Sequence, residues 1–148
     1  MLDTSRIAER LSLIRGNSRI LERDYKDQPK DRFFKDEMFN ASAERLLQTA
    51  IQACIDISNH IIASLGLKKP KEDTAETFRI LYKEGILPED FAKTMVSITG
   101  YRNVLVHGYL DVDKEETYKN INFHLDDLAQ FAKYIEEFLE RYEAKMKR

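Results

Sequence analysis

The chain has 148 residues and a formal net charge of −2, with 43% hydrophobic and 34% charged residues but only 5 Gly and 3 Pro. A chain of this length fits one domain, residues 1–148, and this composition is typical of a helical domain whose outer faces are well solvated. The near-neutral charge provides no general attraction to nucleic acid or to an anionic membrane, so any contact with RNA must come from a local basic patch.

The first half of the chain contains two apolar patterns with helical period. Apolar or aromatic positions recur in steps of four and three and predict a first helix over about residues 4–25. After Pro29 an apolar pattern over residues 34–65 predicts one long helix, which Gly66 ends. The following segment, residues 66–72, combines breakers with lysines and is typical of a surface loop.

The third and fourth predicted helices are marked by their end signals. Asp73 and Glu76 have the spacing of a capping box, which predicts a short helix that Gly85 ends. Pro88 opens the next helix, whose apolar positions lead to a glycine at its end, Gly108. The polar residues of chemical interest therefore fall in the last two turns of this helix.

The chain closes with a long amphipathic pattern. Asp113 and Glu116 repeat the capping-box spacing, and apolar residues then step by four and three as far as Tyr142. Four main helices and one short helix, joined by loops of a few residues, predict an all-α fold, an up-and-down helical bundle. The common Gly-rich phosphate loops, paired-cysteine zinc sites and Gly-x-Ser-x-Gly elbows are absent from the sequence.

The cellular setting is predicted from the cysteine content and from the first residues. The only cysteine, Cys54, lies in an apolar stretch, so an intrachain disulfide and a thiol-based metal cluster are excluded. The N-terminal residues have scattered charges and lack both the apolar core of a signal peptide and a membrane-spanning run. These features predict a cytoplasmic protein without contact to a membrane.

Chemically useful side chains cluster in residues 101–109. On a helix, Asn103 and His107 lie on nearly the same face, while Arg102 has a stem long enough to reach across from a neighbouring face. An imidazole that titrates near neutrality and a guanidinium that binds phosphate oxygens suit phosphodiester cleavage without a metal. Chemistry alone also allows a second interpretation, in which His107 caps helix carbonyls and Arg102 pairs with a surface carboxylate.

The order of these residues resembles a known family. The string Arg102-Asn103-x-x-x-His107-x-Tyr109 is similar to the signature of the HEPN superfamily, and its trailing tyrosine is typical of HepT-like proteins. The upstream stretch over residues 43–61 is similar to the segment that precedes the motif in that family. Two separated motifs in the expected order make the resemblance specific, and it extends over essentially the whole chain.

The resemblance implies a homodimer in which two motifs face each other across a cleft and form a composite endoribonuclease site without metal or cofactor. Arg102 and His107 would be catalytic, with Asn103 as a supporting residue and Asp56 as a further candidate for support. In this mechanism, His107 acts on the ribose 2′-hydroxyl or on the leaving oxygen, and Arg102 stabilises the pentavalent phosphorane. Such a protein would be the toxin of a toxin–antitoxin pair.

The resemblance also implies a partner, a small MntA-like nucleotidyltransferase antitoxin that transfers AMP from ATP to Tyr109. The added phosphodiester would place negative charge beside Arg102 and His107 and repel an RNA phosphate. Residue type alone also allows Tyr109 to be an aromatic side chain that packs after a helix end. Two rival functions stay open: a non-catalytic HEPN module that binds a nucleotide or a nucleotidyltransferase, and a purely structural helical adaptor.

The remaining polar residues receive structural interpretations. Charged residues on a largely apolar helix usually form internal ion pairs or interface contacts, and this is expected of Arg45 and His60 and is the alternative for Asp56. Glu44 is expected to face solvent, and His124 is expected to lie inert on the polar side of the last helix. The lysines of the 66–72 loop are more often solvated than bound to RNA; they are Lys68, Lys69 and Lys71.

Overall fold

A computed structural model of the chain describes residues 2–68, 74–102, 105 and 110–147. These ranges contain seven helices and no strand. The helices are α1 (Thr4–Asp24), α2 (Lys30–Lys35), α3 (Glu37–Ser64), α4 (Thr74–Lys83), α5 (Glu89–Thr99), α6 (Leu110–Phe123) and α7 (Leu125–Met146). The all-α prediction is confirmed, although the described ranges contain more helices than the predicted four main helices and one short one.

Helix α3 lies at the centre of the fold. Helices α1, α2, α4, α6 and α7 all pack against it, and α1 also packs along α7. Its apolar residues therefore occupy more than one face, and Ala50, Ile51 and Cys54 are fully buried. Burial raises the pKa of the Cys54 thiol well above its ordinary value, so this cysteine acts as an apolar core residue. None of the described helices has both the length and the apolar content that crossing a membrane requires.

Two glycines end helices as the sequence predicts. Gly66 and Gly85 have φ angles of 70° and 75°, in the left-handed region that a side chain rarely adopts. After each glycine, the next amide returns to a carbonyl of the preceding helix, from Leu67 to Ile62 at 3.0 Å and from Ile86 to Leu81 at 2.9 Å. These bonds satisfy helix carbonyls that would otherwise lack a partner. The capping residue predicted at Asp73 lies outside the described residues.

The predicted single helix over residues 34–65 is wrong at its start. The chain forms the short helix α2 first, and Asp36 then adopts an extended conformation with φ −101° and ψ 96°. Its side chain accepts a hydrogen bond from the amide of Phe39 at 3.1 Å, which caps the new helix. Apolar residues occur on both sides of Asp36, and Phe33 before it is buried as well. The apolar pattern alone therefore did not reveal that Asp36 caps a new helix.

The predicted helix start at Asp113 is also wrong. Asp113 lies inside the first turns of α6 and is buried, and the break falls instead at His124, which separates α6 from α7. Asn120 and Asn122 precede the break, and each donates its side-chain amide to the carbonyl four residues earlier, at 2.8 and 2.9 Å. Such bonds compete with the helical backbone pattern and favour a helix end.

Phe33 joins α2 to the rest of the bundle and carries the first testable prediction. Its buried ring forms T-shaped contacts with Phe39 and Tyr118 at centroid distances of 4.9 and 5.5 Å. We expect Phe33→Ala to lower the free energy of unfolding by about 3 kcal/mol, because it leaves a cavity between three helices. Urea denaturation measures this loss. Phe123→Ala, at a position that is 69% exposed, is the control and should change stability by less than about 0.5 kcal/mol. Equal losses in both variants would contradict the packing.

Candidate active site

Arg102 is the predicted catalytic residue that the structure describes. It follows Tyr101 on a helical segment and is half-buried, whereas Tyr101 is only 2% exposed. The Tyr101 hydroxyl lies 2.5 Å from Oγ1 of Thr117 on α6, which fixes the backbone that carries Arg102. Across the described ranges, the guanidinium of Arg102 forms neither an ion pair nor a hydrogen bond with another residue. A partly desolvated cation of this kind is suited to bind a phosphate.

The other three residues of the motif lie outside the described residues. They are Asn103, His107 and Tyr109, and their predicted roles stay predictions. The structure describes what precedes and follows them, namely Arg102 and the start of α6 at Leu110.

Beside Arg102 lies a buried polar cluster, formed by Asn40 and Glu44 of α3, Tyr101, and Asp113 and Thr117 of α6. Asn40 donates its amide to Oε1 of Glu44 at 2.7 Å, and Thr117 donates its hydroxyl to the carbonyl of Asp113 at 2.8 Å. Thr117 has a single proton to donate, so the Tyr101 hydroxyl is the donor in their bond. The expectation that Glu44 only faces solvent is therefore wrong, because its half-buried carboxyl group takes part in this cluster.

Burial changes the acidity of two groups in the buried polar cluster. Desolvation, followed by the hydrogen bond and negative charge of Glu44, raises the pKa of Asp113 to about 7, while Lys114 opposes the shift. Desolvation also raises the pKa of Tyr101 far above its ordinary value. The hydrogen bond with Thr117 opposes this increase in the pKa of Tyr101, and the negative charges of Glu44, Asp113 and Glu116 add to it. Tyr101 is therefore a neutral hydrogen-bond donor at every physiological pH.

Asp56, the candidate supporting residue, lies in a different environment. Its Oδ2 is 3.6 Å from Nε of Arg10, and its Oδ1 accepts a hydrogen bond from Gln52 at 2.9 Å. It lines an open groove between α1 and α3, beside Leu13. From Glu44 to Asp56 the helix rises by about 18 Å. The observed contacts fit the structural alternative, and a supporting role for Asp56 stays a prediction.

The remaining candidates have the following contacts. Nε2 of His60 accepts a hydrogen bond from the amide of Asp3 at 3.0 Å, so this histidine helps to anchor the start of α1. Arg45 and Lys68 are exposed. His124 lies at the junction of α6 and α7 rather than along the polar side of one long helix, and its Nδ1 is 3.0 Å from Asp127. The lysines at positions 69 and 71 lie outside the described residues.

Sequence reasoning did not identify Asp113 and Glu44 as a pair. A signal was present, because Asn40 and Glu44 are four residues apart and share a face with the buried residues Ala43 and Leu47. Polar side chains on an apolar helical face usually have buried partners. Their partner on α6 could not be named without the tertiary packing.

Comparison with known families identifies the family to which this helical chain and its Arg-to-His motif belong. A model of the family described as ribonuclease HepT-like matches residues 7–135. The chain therefore belongs to the ribonuclease HepT-like family, as the resemblance of its two motifs predicts.

Two HepT nucleases are similar in sequence to this chain. The chain is 39% identical over 96 residues to the tRNA nuclease HepT of Aphanizomenon flos-aquae, a match that covers 65% of each protein. It is 29% identical over 89 residues to the mRNA nuclease HepT of Shewanella oneidensis, a match that covers 60% of this chain and 66% of that protein. The matched part thus spans just under two thirds of either relative.

A solved structure extends the similarity to the whole fold. It contains the tri-AMPylated HEPN toxin of Shewanella oneidensis in complex with an MNT antitoxin. The two chains superpose with a TM-score of 0.79 at 26% identity, over 93% of this chain and 99% of the toxin. This agreement supports the all-α architecture described above.

Proposed function

We propose that the chain is the toxin of a HepT/MntA-type toxin–antitoxin pair, a cytoplasmic endoribonuclease that consists of one HEPN domain over residues 1–148. One observation carries the proposal: Arg102, the first residue of the Arg-to-His motif, is half-buried and has no ion pair among the described residues. An arginine with a purely structural role would be expected to pair with a carboxylate. The family match and the nucleases among the relatives support the same function.

In the proposed reaction, the ribose 2′-oxygen attacks the phosphorus and the 5′-oxygen of the next nucleotide leaves, which produces a cyclic phosphate end. His107 moves the proton of the attacking or the leaving oxygen, and Arg102 stabilises the charge that develops on the phosphorane. Asn103 orients the imidazole or the scissile group. A homodimer brings two such motifs to one cleft, and the chemistry needs no metal.

The proposed partner is an MntA-like nucleotidyltransferase that transfers AMP to Tyr109. The HEPN toxin with the same fold is described as tri-AMPylated and bound to an MNT antitoxin, which supports this step for the present chain. The added phosphates would occupy the cleft and repel RNA, because each brings negative charge close to Arg102. Regulation would then require no change of fold.

Cleavage of labelled RNA by the purified, unmodified chain tests the proposed activity. We expect the double variant of Arg102→Ala and His107→Ala to lose at least about 10²-fold in rate, because both charge stabilisation and proton transfer are removed. Arg19→Ala and His124→Ala are matched controls at positions remote from the motif in sequence, and they should retain the activity of the unmodified chain. Equal cleavage by the double variant would indicate a contaminating nuclease. Absence of cleavage by the unmodified chain would favour a non-catalytic binding module.

A further inference from the structure

We propose that the groove between α4 and α5 is an additional RNA-binding site, which holds a single-stranded part of the substrate outside the cleavage motif. Tyr82 stacks on a base of this strand, and Lys83 and Lys93 bind its phosphates. The choice of RNA as the occupant rests on the proposed function, which makes RNA the substrate. RNA binding can nevertheless be measured without cleavage, so the two proposals are tested separately.

The groove follows one face of each of two neighbouring helices. Helices α4 and α5 pack against each other and are joined by the turn at Gly85. The groove is lined at positions 75, 79, 82 and 83 of α4 and at positions 89, 92, 93 and 96 of α5. Its volume of about 230 Å³ is sufficient for a nucleobase. Its length along α4 is about 12 Å, so about three stacked nucleotides at about 3.4 Å each match it.

The charge of the groove suits a polyanion. Three cations line it against one carboxylate, that of Glu89. Lys83 is exposed and forms no ion pair within the described ranges. Lys93 lies 3.8 Å from Glu89, and a phosphate can replace such a long surface contact at little cost. Arg79 is held by Glu76 of its own helix at 2.5 Å, so the two lysines are the cations available to RNA.

The groove between α1 and α3 has the opposite balance of charge. Glu9 and Asp56 line that groove against one arginine, Arg10, so phosphate groups are repelled there. Because the whole chain has a net charge of −2, RNA must bind through a local excess of cations. Of these two grooves, the one between α4 and α5 provides that excess.

Tyr82 adds an exposed aromatic ring to these cations. Its side chain is 38% exposed, and across the described part of the chain its ring packs against no other ring. The neighbouring Phe78 and Phe91 differ, because each packs against an aromatic ring of α7, at centroid distances of 6.4 and 5.0 Å. An exposed aromatic ring beside cations binds single-stranded nucleic acid through stacking and charge together.

The position of the groove along α5 brings it close to the cleavage motif. Val96 lines one end of the groove and precedes Arg102 by six residues, which corresponds to a rise of about 9 Å along the helical segment. A strand bound in the groove therefore needs about three further stacked nucleotides to reach Arg102. Binding in the groove would stabilise the bound substrate and the transition state equally, so it should act on KM rather than on kcat.

Fluorescence anisotropy of a labelled single-stranded 2′-O-methyl RNA measures this binding without cleavage, because the attacking hydroxyl is absent. We expect the double variant of Lys83→Gln and Lys93→Gln to bind about tenfold more weakly at about 0.1 M salt, since two phosphate contacts are lost. The slope of log affinity against log salt concentration should become shallower by about 1.4. The double variant of Arg19→Gln and Lys145→Gln removes the same charge at exposed positions outside the groove and should change the affinity by less than about twofold.

Tyr82→Ala tests the stacking contact. We expect it to weaken RNA binding about fivefold or more, whereas Tyr82→Phe keeps the ring and should bind like the unmodified protein. In RNA cleavage, Tyr82→Ala and the double variant of Lys83 and Lys93 should raise KM and leave kcat within about twofold. Urea denaturation of each variant checks that its fold is intact.

Equal RNA affinities in the lysine double variant and in its matched control would overturn the inference, and so would an unmodified protein that binds no RNA. Full affinity in Tyr82→Ala would overturn the stacking contact. If the groove variants weakened binding of the nucleotidyltransferase and not of RNA, the groove would be a protein contact and the inference would be wrong. Failure of the proposed function gives a different result, because RNA would still be bound through the groove but would not be cut.

Discussion

Arg102→Ala alone is expected to lower kcat/KM for RNA cleavage by about 10²- to 10³-fold, the loss typical for removal of one group that stabilises a developing oxyanion. Arg102 is half-buried and unpaired among the described residues, so its interaction with a phosphate is strengthened by partial desolvation. Arg102→Lys should recover only part of the rate, because an ammonium group cannot bind two phosphate oxygens in the geometry of a guanidinium. Single-turnover kinetics on a short labelled RNA measures these losses.

The control for this prediction is Arg19→Ala, which removes an exposed arginine of α1. It should leave the rate within about twofold, since Arg19 is remote from the motif in sequence and an exposed charge acts only through screened forces. Urea denaturation of both variants checks that the fold is intact. If Arg102→Ala retained more than about a tenth of the rate with the fold intact, the catalytic role of Arg102 would be rejected.

Tyr109→Phe is expected to abolish AMP transfer completely, because the acceptor oxygen is removed. Intact mass is measured before and after incubation of the chain with ATP, magnesium and the MntA-like nucleotidyltransferase. The unmodified chain should gain mass in steps of one AMP unit, and the product should lose its RNA-cleaving activity through charge repulsion and steric block. This loss should be large, because AMP on Tyr109 would add negative charge close in sequence to Arg102.

Tyr82→Phe provides a matched control, because Tyr82 is 38% exposed and is accessible to an enzyme on the surface of α4. It should accept AMP units like the unmodified chain. A mass gain that persists in Tyr109→Phe would place the modification elsewhere. Absence of any gain, with RNA cleavage retained, would leave a nuclease that is regulated in another way.

The amino-acid sequence by itself determined the helical class, the family and several helix ends. Local causes are sufficient for these features: the 3.6-residue period selects a buried face, and a glycine such as Gly66 or Gly85 ends a helix because it tolerates a positive φ. The Arg-to-His motif was also readable, because its residues are close along the chain. Its first member, Arg102, is half-buried in the described structure, and its catalytic role stays a prediction.

The tertiary structure decided where helices break and which acidic groups are buried. A polar residue inside an apolar pattern has several possible local uses, and Asp113 has the spacing of a helix cap although it is buried inside α6. Asp36 does cap a helix, yet the apolar pattern continues across it. Glu44 and Asp113 are 69 residues apart by their numbers, so only the packing of α6 on α3 brings their carboxyl groups together. Burial is a property of that packing and not of either residue, which is why the acidity of Asp113 could not be inferred from the sequence.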